Sequence, residues 1–499
     1  MSRAWEKLVP HLREMVDLAS AIKLMSWDQA TLMPPNASPA RARSMATVES
    51  MAHQYLISPE VGDLLQELSS DDSLDEDQAA SIRILKRDYD RATKVPPALV
   101  HELAELSGTA YQAWTEARPQ SDFSVLQPHL EKMIRLKKEE ADAIGWETER
   151  YDALLDEYEP EMTTRDVEAM FNELTEGLRP LLEKIVGVSS PRAEFLSNSY
   201  DPSSQEVFSH WLVGVLNFDS TSGRLDTSPH PFTITIGAGD VRQTTRSEEN
   251  DLMMSIYATI HETGHALYEQ GLPTELLDLP VGRTPSLGMH ESQSRLWENL
   301  VGRSRPFTEF MLPHLKERFP AQLGMVSPDE FYRAANHVEP TLIRVTADEV
   351  TYNLHLMLRF ELELAMFREE LDVADLPNAW DAAMEKHLGV RPDSDANGVL
   401  QDMHWSTGIQ GYFPTYTLGT IYSAAFFAKA QEQLGNLDDD LREGDTSRLL
   451  GWLRENIHSK AYRYPAKELA EQVLGAPVSA KPLLEHLRTK YSELYDITP

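Results

Sequence analysis

The sequence contains no cysteine and little positive charge. Its 499 residues include 46 Lys and Arg against 80 Asp and Glu, which gives a formal net charge of −34. Because no disulfide framework can form, the composition is typical of a reducing compartment, and we expect a cytoplasmic location. Binding to polyanions depends on Lys and Arg, so nucleic acids and anionic membranes are disfavoured as partners. Hydrophobic residues make up 41% of the chain, which is enough for a large core and excludes intrinsic disorder.

Signal-like and membrane-spanning apolar runs are missing as well. Residues 1–25 carry charges where a signal peptide needs an apolar stretch, and their apolar residues follow helical spacing from Trp5 to Val16. An amphipathic helix of a globular protein is therefore expected at this end. The uncharged segment 403–428 is long enough to span a bilayer, but it contains glycine, proline and many polar residues. We expect it to be buried in the protein or to line a cleft.

Most of the chain has the pattern of helices joined by short connections. The exception is residues 224–246, where β-branched residues alternate before Gly237 and Gly239 reverse the chain, and residues 241–245 return. This pattern predicts a β-hairpin, which must pack on helices because an isolated hairpin is marginally stable in water. An exposed edge of it would bind an extended peptide by strand addition. The predicted fold class is all-α, one large domain over residues 1–499 with a small sheet beside a cleft.

The main chemical motif of the sequence is HETGH at residues 261–265. It lies within residues 250–271, whose apolar residues form a helical stripe, with Asn250 or Asp251 placed to cap the start. Gly264 inside the motif marks a position where a neighbouring element can pass closely. The motif is therefore predicted to lie on an amphipathic helix.

Two histidines four residues apart project from the same face of a helix, so His261 and His265 can bind one metal ion. Glu262 is then placed to take a proton from a water that the metal activates. We expect one divalent metal per chain, with zinc favoured, although nitrogen and oxygen ligands also accept cobalt. The alternative is an acidic helical scaffold in which the motif is accidental or forms a structural metal site.

A catalytic zinc site needs a third protein ligand and an open position. Since the motif has no further histidine close behind it, a carboxylate from a later helix is expected. The next helical segment, residues 286–303, contains Glu291 and Glu298, and spacing alone does not choose between them. Glu269 and Glu275 are too close to the motif in sequence to fold back readily.

Several blocks of the sequence form a pattern together. They are DVRQT (240–244), HETGH (261–265), HESQ (290–293), IRVTAD (343–348) and GVLQDMHW (398–405), with WDQATLMPP (27–35) and GYFPTYTLG (411–419) in addition. In these blocks and their order the chain resembles the carboxypeptidase Taq family of metallocarboxypeptidases over nearly its whole length. The resemblance implies an all-helical, cytosolic homodimer with a deep groove that removes C-terminal residues from peptides with broad preference. It also implies that Glu291, in the HESQ block, is the third metal ligand.

A carboxypeptidase must bind a free α-carboxylate, and Arg suits this better than Lys because its planar group donates two parallel hydrogen bonds. Arg344 is the first candidate, and we expect it to open a long helix and share one face with Asp348, Tyr352 and His355. The alternative is an Arg344–Asp348 pair that only supports the helix. Arg242, in the predicted hairpin, is the second candidate, with an exposed strand charge as its alternative.

The transition state of peptide hydrolysis places negative charge on the carbonyl oxygen, so a hydrogen-bond donor besides the metal is expected. The uncharged segment supplies His404, Tyr412 and Tyr416. We assign His404 and Tyr412 to catalysis and Tyr416 to substrate binding, although the sequence does not rank the two tyrosines. An alternative function is a helical zinc endopeptidase or oligopeptidase, which has the same metal ligands but a groove without a closed end.

Overall fold

The computed structural model describes residues 3–188 and 192–498. In these residues the chain forms a mainly helical fold with one small sheet, which confirms the predicted fold class. The helices are α1 (Arg3–Thr31), α2 (Ser38–Leu56), α3 (Pro59–Leu68), α4 (Glu76–Lys94), α5 (Pro97–Gln120), α6 (Gln127–Ile144), α7 (Asp152–Tyr158), α8 (Thr164–Val186), α9 (Pro202–Val215), α10 (Leu252–Glu269), α11 (Leu287–Arg295), α12 (Arg305–Arg318), α13 (Pro320–Leu323), α14 (Pro328–Ala335), α15 (Thr351–Phe367), α16 (Leu376–Leu388), α17 (Phe413–Leu434), α18 (Asp438–Arg442), α19 (Ser447–Asn456), α20 (Ala466–Leu474) and α21 (Lys481–Tyr495).

The two helices predicted in most detail are present. α1 is amphipathic and buries Trp5 and Leu8 in an apolar cluster with α3 and α4. α10 contains the HETGH motif, and the side chain of Asp251 caps its start by accepting a hydrogen bond from the backbone N–H of Met254. Among the described residues, no helix combines the length and the apolar character needed to cross a membrane. The uncharged segment 403–428 instead forms a loop and most of the buried helix α17.

The sheet has three strands, β1 (Gly223–Thr227), β2 (Thr233–Gly237) and β3 (Asp240–Thr245), in the order β1-β3-β2. β2 and β3 form the predicted antiparallel hairpin. β1 pairs in parallel with β3, and the sequence analysis missed it because GRLDT has no apolar alternation. β2 is therefore an edge strand, and it lies against α10.

Three helices lie unusually close together at the centre of the molecule. A Cβ atom on Gly264 of α10 would lie 2.7 Å from the Cα atom of Ser294 on α11, and one on Gly419 of α17 would lie 2.6 Å from the Cβ atom of Glu291. Both distances are too short for packed carbon atoms, so only glycine fits at these crossings. The prediction that Gly264 marks a close neighbour is confirmed, and α11 lies directly between α10 and α17.

We expect Gly264→Ala to destabilise the protein by about 1–3 kcal/mol, because the added methyl group meets backbone atoms that have no rotamer to change. Gly451→Ala is the matched control, since Gly451 lies within α19 with nothing within 4 Å of the added atom. That change should stabilise the protein by up to about 1 kcal/mol through helix propensity. Denaturant unfolding measures both, and equal effects of the two changes would contradict the close helix contact.

Candidate active site

His261 and His265 on α10 face Glu291 on α11. One ligand atom from each of the three residues lies within 4.8 Å of the others. The Nε2 atoms of His261 and His265 are 3.7 and 3.5 Å from Oε2 of Glu291, and the two imidazole rings are nearly perpendicular. Two imidazole nitrogens and one carboxylate oxygen form a donor set that a catalytic zinc site uses. The three side chains predicted from sequence and resemblance therefore lie together as one group that could hold a metal ion.

Both histidines are oriented by hydrogen bonds at their other ring nitrogen. Nδ1 of His261 is 2.9 Å from Oε2 of Glu298. Nδ1 of His265 is 2.6 Å from Nδ1 of His290, whose Nε2 lies 2.8 Å from Oε1 of Glu269. When Nδ1 of His261 and Nδ1 of His265 donate their protons in these contacts, Nε2 of each ring keeps a lone pair directed toward the group that could hold the metal. Glu298, the alternative third ligand in the sequence analysis, thus contacts the site through His261. Glu269 contacts it through His290.

The two imidazoles of the group differ in their electrostatics. Burial alone would lower the pKa of His261, but Glu291 and Glu298 raise it above its ordinary value. Burial lowers the pKa of His265 to about 3, so this imidazole is neutral and its nitrogen is available. Burial alone would raise the pKa of Glu291, but Arg295 and His261 lower it further than burial raises it, to well below the ordinary range. The site therefore presents a neutral imidazole beside an ionised carboxylate at neutral pH, as metal ligation requires.

Glu262 lies next to this group but takes a different contact. Its Oε2 accepts a hydrogen bond of 2.7 Å from the hydroxyl of Thr233, on the adjacent strand β2. Burial raises the pKa of the Glu262 carboxyl above its ordinary value. A raised pKa makes the ionised carboxylate a stronger base, which is the property that a general base needs. The sequence analysis missed Thr233, because its contact depends on how the sheet packs on the helix.

Arg344 does not open a long helix, so that expectation is wrong. It lies in a short 3₁₀ turn, and α15 begins only at Thr351. Asp348 lies between them and accepts hydrogen bonds of 2.9 and 3.0 Å from the backbone N–H groups of Val350 and Thr351. Asp has a short side chain that reaches the free N–H groups of a first helical turn, so it caps α15 here. The alternative of an Arg344–Asp348 pair is also wrong.

Arg344 instead pairs with Asp402, which follows it by more than fifty residues. The guanidinium donates to Oδ1 of Asp402 from Nη2 at 2.7 Å and from Nε at 3.2 Å, and Arg359 binds the other carboxylate oxygen. Nη1 of Arg344 is 3.5 Å from the hydroxyl of Tyr352, and the group lies 5.4 Å from the ring centroid of Tyr416. Arg344 is buried, yet one of its nitrogens has only a long polar contact.

Arg242 is partly buried and already paired, so the alternative of an exposed strand charge is wrong. Its Nε and Nη2 donate to the two carboxylate oxygens of Asp240 at 2.8 and 2.7 Å, and it stacks over the ring of Trp27 at 4.3 Å. The next residue, Gln243, accepts a hydrogen bond from Thr263 of α10. Because successive strand residues point to opposite faces, Arg242 lies on the face of β3 turned away from α10.

The three aromatic candidates lie together at the start of α17. The ring centroid of Tyr412 is 5.2 Å from that of Tyr416 and 5.7 Å from that of His404. Burial raises the pKa of both tyrosines, and the charge of Glu291 raises that of Tyr412 further. Burial lowers the pKa of His404 to about 4, so it is neutral at pH 7.

The loop before these aromatics is fixed by a carboxylate that the sequence analysis missed. Glu363 on α15 is fully buried, and its two oxygens accept hydrogen bonds from the indole N–H of Trp405 and from the backbone N–H of Gly411. Burial raises the pKa of Glu363 to about 7. These contacts hold the loop at Trp405, which follows His404, and at Gly411, which precedes Tyr412. The position of Glu363 among the mostly apolar residues of α15 was the signal in the sequence that could have indicated this role.

Comparison with known proteins identifies the family of the chain. A model of the carboxypeptidase Taq (M32) metallopeptidase family matches residues 7–491 of the chain. The chain belongs to this family. It is 44% identical to thermostable carboxypeptidase 1 of Thermus thermophilus, and the match covers 99% of each chain. It is 36% identical to carboxypeptidase 1 of Bacillus subtilis, with 97% of each chain covered.

Solved structures agree with the sequence match. The M32 carboxypeptidase of Deinococcus radiodurans superposes with a TM-score of 0.97 at 40% identity, covering 99% of this chain and 100% of that one. A carboxypeptidase structure from Pyrococcus furiosus gives a TM-score of 0.96 at 37% identity, with 98% and 99% covered. This chain is therefore a metallocarboxypeptidase of the M32 family that acts on peptides, and its family implies a divalent metal. The alternative of a non-enzymatic scaffold is wrong.

Proposed function

We propose that this metallocarboxypeptidase binds one zinc ion through His261, His265 and Glu291 and removes C-terminal residues from peptides of broad sequence. The observation that carries the proposal is the group of two imidazoles and one carboxylate with a buried carboxylate, Glu262, beside it. Both imidazoles are already oriented by partners at Nδ1, as in metal sites whose ligands are held for binding. Cobalt fits the same donors. From the resemblance and the lack of cysteine we also propose a cytoplasmic homodimer.

Glu262 is the general base of this proposal. When bound, the metal supplies a Lewis acid that polarises the scissile carbonyl and lowers the pKa of an attacking water to about 7. Glu262 takes a proton from that water and returns it to the leaving amine, so it ends the cycle as it began. Thr233 binds Oε2 of Glu262, which fixes the carboxyl plane and leaves Oε1 for the proton.

Tyr412 and His404 are the proposed donors to the oxyanion. The ring of Tyr412 packs edge-on against that of Tyr416, which holds it in place while its hydroxyl donates to the substrate. A neutral His404 also donates one N–H. Tyr416 contacts the substrate beside them. Such donors act on charge that is largest in the transition state, so they should affect kcat more than KM.

Arg344 is the proposed anchor for the substrate carboxylate. Asp402 occupies Nε and Nη2 of its guanidinium and thereby fixes the plane of the group. Nη1 has only the long contact with Tyr352, so it can donate to an incoming carboxylate. Arg242 is the second choice, because Asp240 already takes two of its nitrogens and its side chain points away from α10.

Edge strand β2 provides a place for an extended peptide. Its residues are partly exposed along their whole length, and β3 covers only one of its two edges. Main-chain hydrogen bonds to such an edge bind a peptide with little regard to its side chains. Binding of this kind agrees with broad sequence preference. It also aligns the peptide beside Glu262, which Thr233 of the same strand contacts.

The test is to compare one peptide as a free acid and as a C-terminal amide. We expect the free acid to lose one residue at a time from its C-terminus in time-resolved mass spectrometry, and a chelator to stop the reaction. The amide should be hydrolysed about 10–100-fold more slowly, because a charge-assisted contact to the carboxylate contributes about 1.5–3 kcal/mol. An endopeptidase would cut both peptides internally at similar rates, which would refute the proposal.

A further inference from the structure

One arginine side chain contacts both carboxylates behind the metal group. Nε of Arg295 donates to Oε1 of Glu291 at 2.7 Å, and its Nη1 donates to Oε2 of Glu298 at 3.2 Å. The guanidinium lies over the ring of Tyr352 at 4.3 Å and is largely buried. Because the group is planar and held on three sides, its position relative to the two carboxylates is fixed.

The contact uses one oxygen of Glu291 and leaves the other for the metal. Oε2 is the oxygen that faces His261 and His265, and the one hydrogen bond it accepts from the described residues is that of Ser294, at 3.2 Å. Oε1 is bound to the cation of Arg295 and points away from the imidazoles. A carboxylate in this arrangement offers the metal one oxygen, whereas a carboxylate without Arg295 is free to turn and offer both.

The local helix geometry makes this arrangement possible. Arg295 is the last residue of α11, and the chain continues directly into a π-helical segment, Leu296–Gly302, which contains Glu298. Glu291 and Arg295 are four residues apart, so they are neighbours on the α-helical face. The wider π turn then places Glu298 within reach of both Arg295 and His261. π-Helical turns occur frequently at functional sites.

Arg303 offers a natural comparison within the same cluster. It donates to Oε1 of Glu298 at 3.1 Å and to the backbone carbonyl of Ala335, but it has no contact with Glu291 among the described residues. Both arginines are partly buried and both balance the charge of Glu298. They differ in whether they also bind Glu291.

We propose that Arg295 is a positioning residue that keeps Glu291 a one-oxygen ligand, so that the metal retains an open position for water and substrate. The proposal rests on the metal site proposed above. A two-oxygen Glu291 would fill the position that catalysis needs, because a catalytic site of this type has three protein ligands and an open place. Losing Arg295 should therefore impair turnover without weakening metal binding. A residue that only supported the fold would weaken both.

The test compares Arg295→Met with Arg303→Met, each measured three ways. The absorption spectrum of the cobalt-loaded protein reports coordination number, competition with a chromophoric chelator gives the zinc dissociation constant, and steady-state kinetics give kcat and KM. For Arg295→Met we expect cobalt bands that are weaker and shifted to shorter wavelength, zinc binding no weaker than wild type, and kcat lowered about 10–100-fold. For Arg303→Met we expect the wild-type spectrum.

An unchanged cobalt spectrum in Arg295→Met, or equal changes in both variants, would overturn the proposal. Arg295→Lys serves if Arg295→Met does not fold, since one ammonium group cannot bind Glu291 and Glu298 in the same fixed plane, and the same spectral change is expected. Failure of the wild-type protein to bind zinc or cobalt would refute the metal site itself. That result is distinct from a wild-type site whose spectrum does not depend on Arg295.

Discussion

Glu262→Gln should lower kcat by about 10²–10⁴-fold while leaving bound metal at the wild-type level. The amide has nearly the same size and can still accept the hydrogen bond from Thr233, but it cannot take a proton from water. Glu262 lies outside the group of three metal-binding side chains, so the metal should remain. Kinetics and elemental analysis of the same preparation measure both quantities. Turnover at the wild-type rate with metal bound would show that another group is the base.

Glu269→Gln is the matched control for Glu262→Gln. Glu269 is a buried carboxylate on the same helix, and it also accepts a hydrogen bond from a β2 threonine, at 2.8 Å from Thr235. It contacts His290, which lies between it and His265, so its loss should affect kcat much less than the loss of Glu262. Equal losses in the two variants would indicate a general effect of removing charge from α10.

Glu262→Gln should also change how the stability of the protein depends on pH. Burial raises the pKa of Glu262 in the folded protein, so the ionised carboxyl favours unfolding. The protonated carboxyl of Glu262 contributes stability at pH values below its pKa in the unfolded chain. That contribution is lost as the pH rises through its higher pKa in the folded protein. Metal-free Glu262→Gln should therefore be more stable than metal-free wild type at neutral pH, with the difference vanishing in acid. Denaturant midpoints at several pH values measure this.

Arg344→Ala should lower kcat/KM for free-acid peptides by about 10–100-fold, since hydrogen bonds to charged groups contribute about 1.5–3 kcal/mol. Hydrolysis of the matching amide should change little, because the amide has no C-terminal carboxylate for Arg344 to bind. The selectivity for a free C-terminus should therefore decrease in the variant. Asp402 keeps Arg359 as a partner, so its charge stays paired. Progress curves with both peptides, and the melting temperature as a folding check, measure the effect.

Arg242→Ala distinguishes the two candidate anchors. Arg242 is paired with Asp240 and stacked on Trp27, on the face of β3 turned away from α10. We expect its removal to lower kcat/KM for the free acid and the amide to the same small extent. If Arg242→Ala removed the selectivity for a free C-terminus and Arg344→Ala did not, the two assignments would be exchanged.

Sequence reasoning works best at this site where the relevant distances are local. The position of His261 relative to His265 follows from helical spacing, and Asp251 caps α10 through its own first turn. The choice of Glu291 over Glu298 came from the resemblance alone, because both lie on the same continuous helix. Which of them faces α10 depends on how the two helices cross, and Gly264 fixes that crossing by contact with α11. Such contacts are not encoded within any short segment.

The wrong prediction at Arg344 has a similar cause. Local spacing suggested an i,i+4 pair with Asp348, but Asp348 satisfies backbone N–H groups at the start of α15. Arg344 then pairs with Asp402, a contact that spans 58 residues of sequence. Strand β1 was missed for a related reason, since its pairing with β3 supplies the order that its own polar sequence does not indicate.

If a peptide binds along strand β2, the strand sets the step by which that peptide moves. Its Thr233 holds Glu262 and its Thr235 holds Glu269, so the strand and α10 form one rigid frame. A peptide aligned along this strand pairs with it only at whole-residue positions, each about 3.4 Å apart, and a one-residue shift also turns its side chains to the opposite face. With the last residue stopped at its carboxylate, only one peptide bond then lies beside Glu262. Removal of one residue per cycle would thus follow from strand register and needs no recognition of the released side chain.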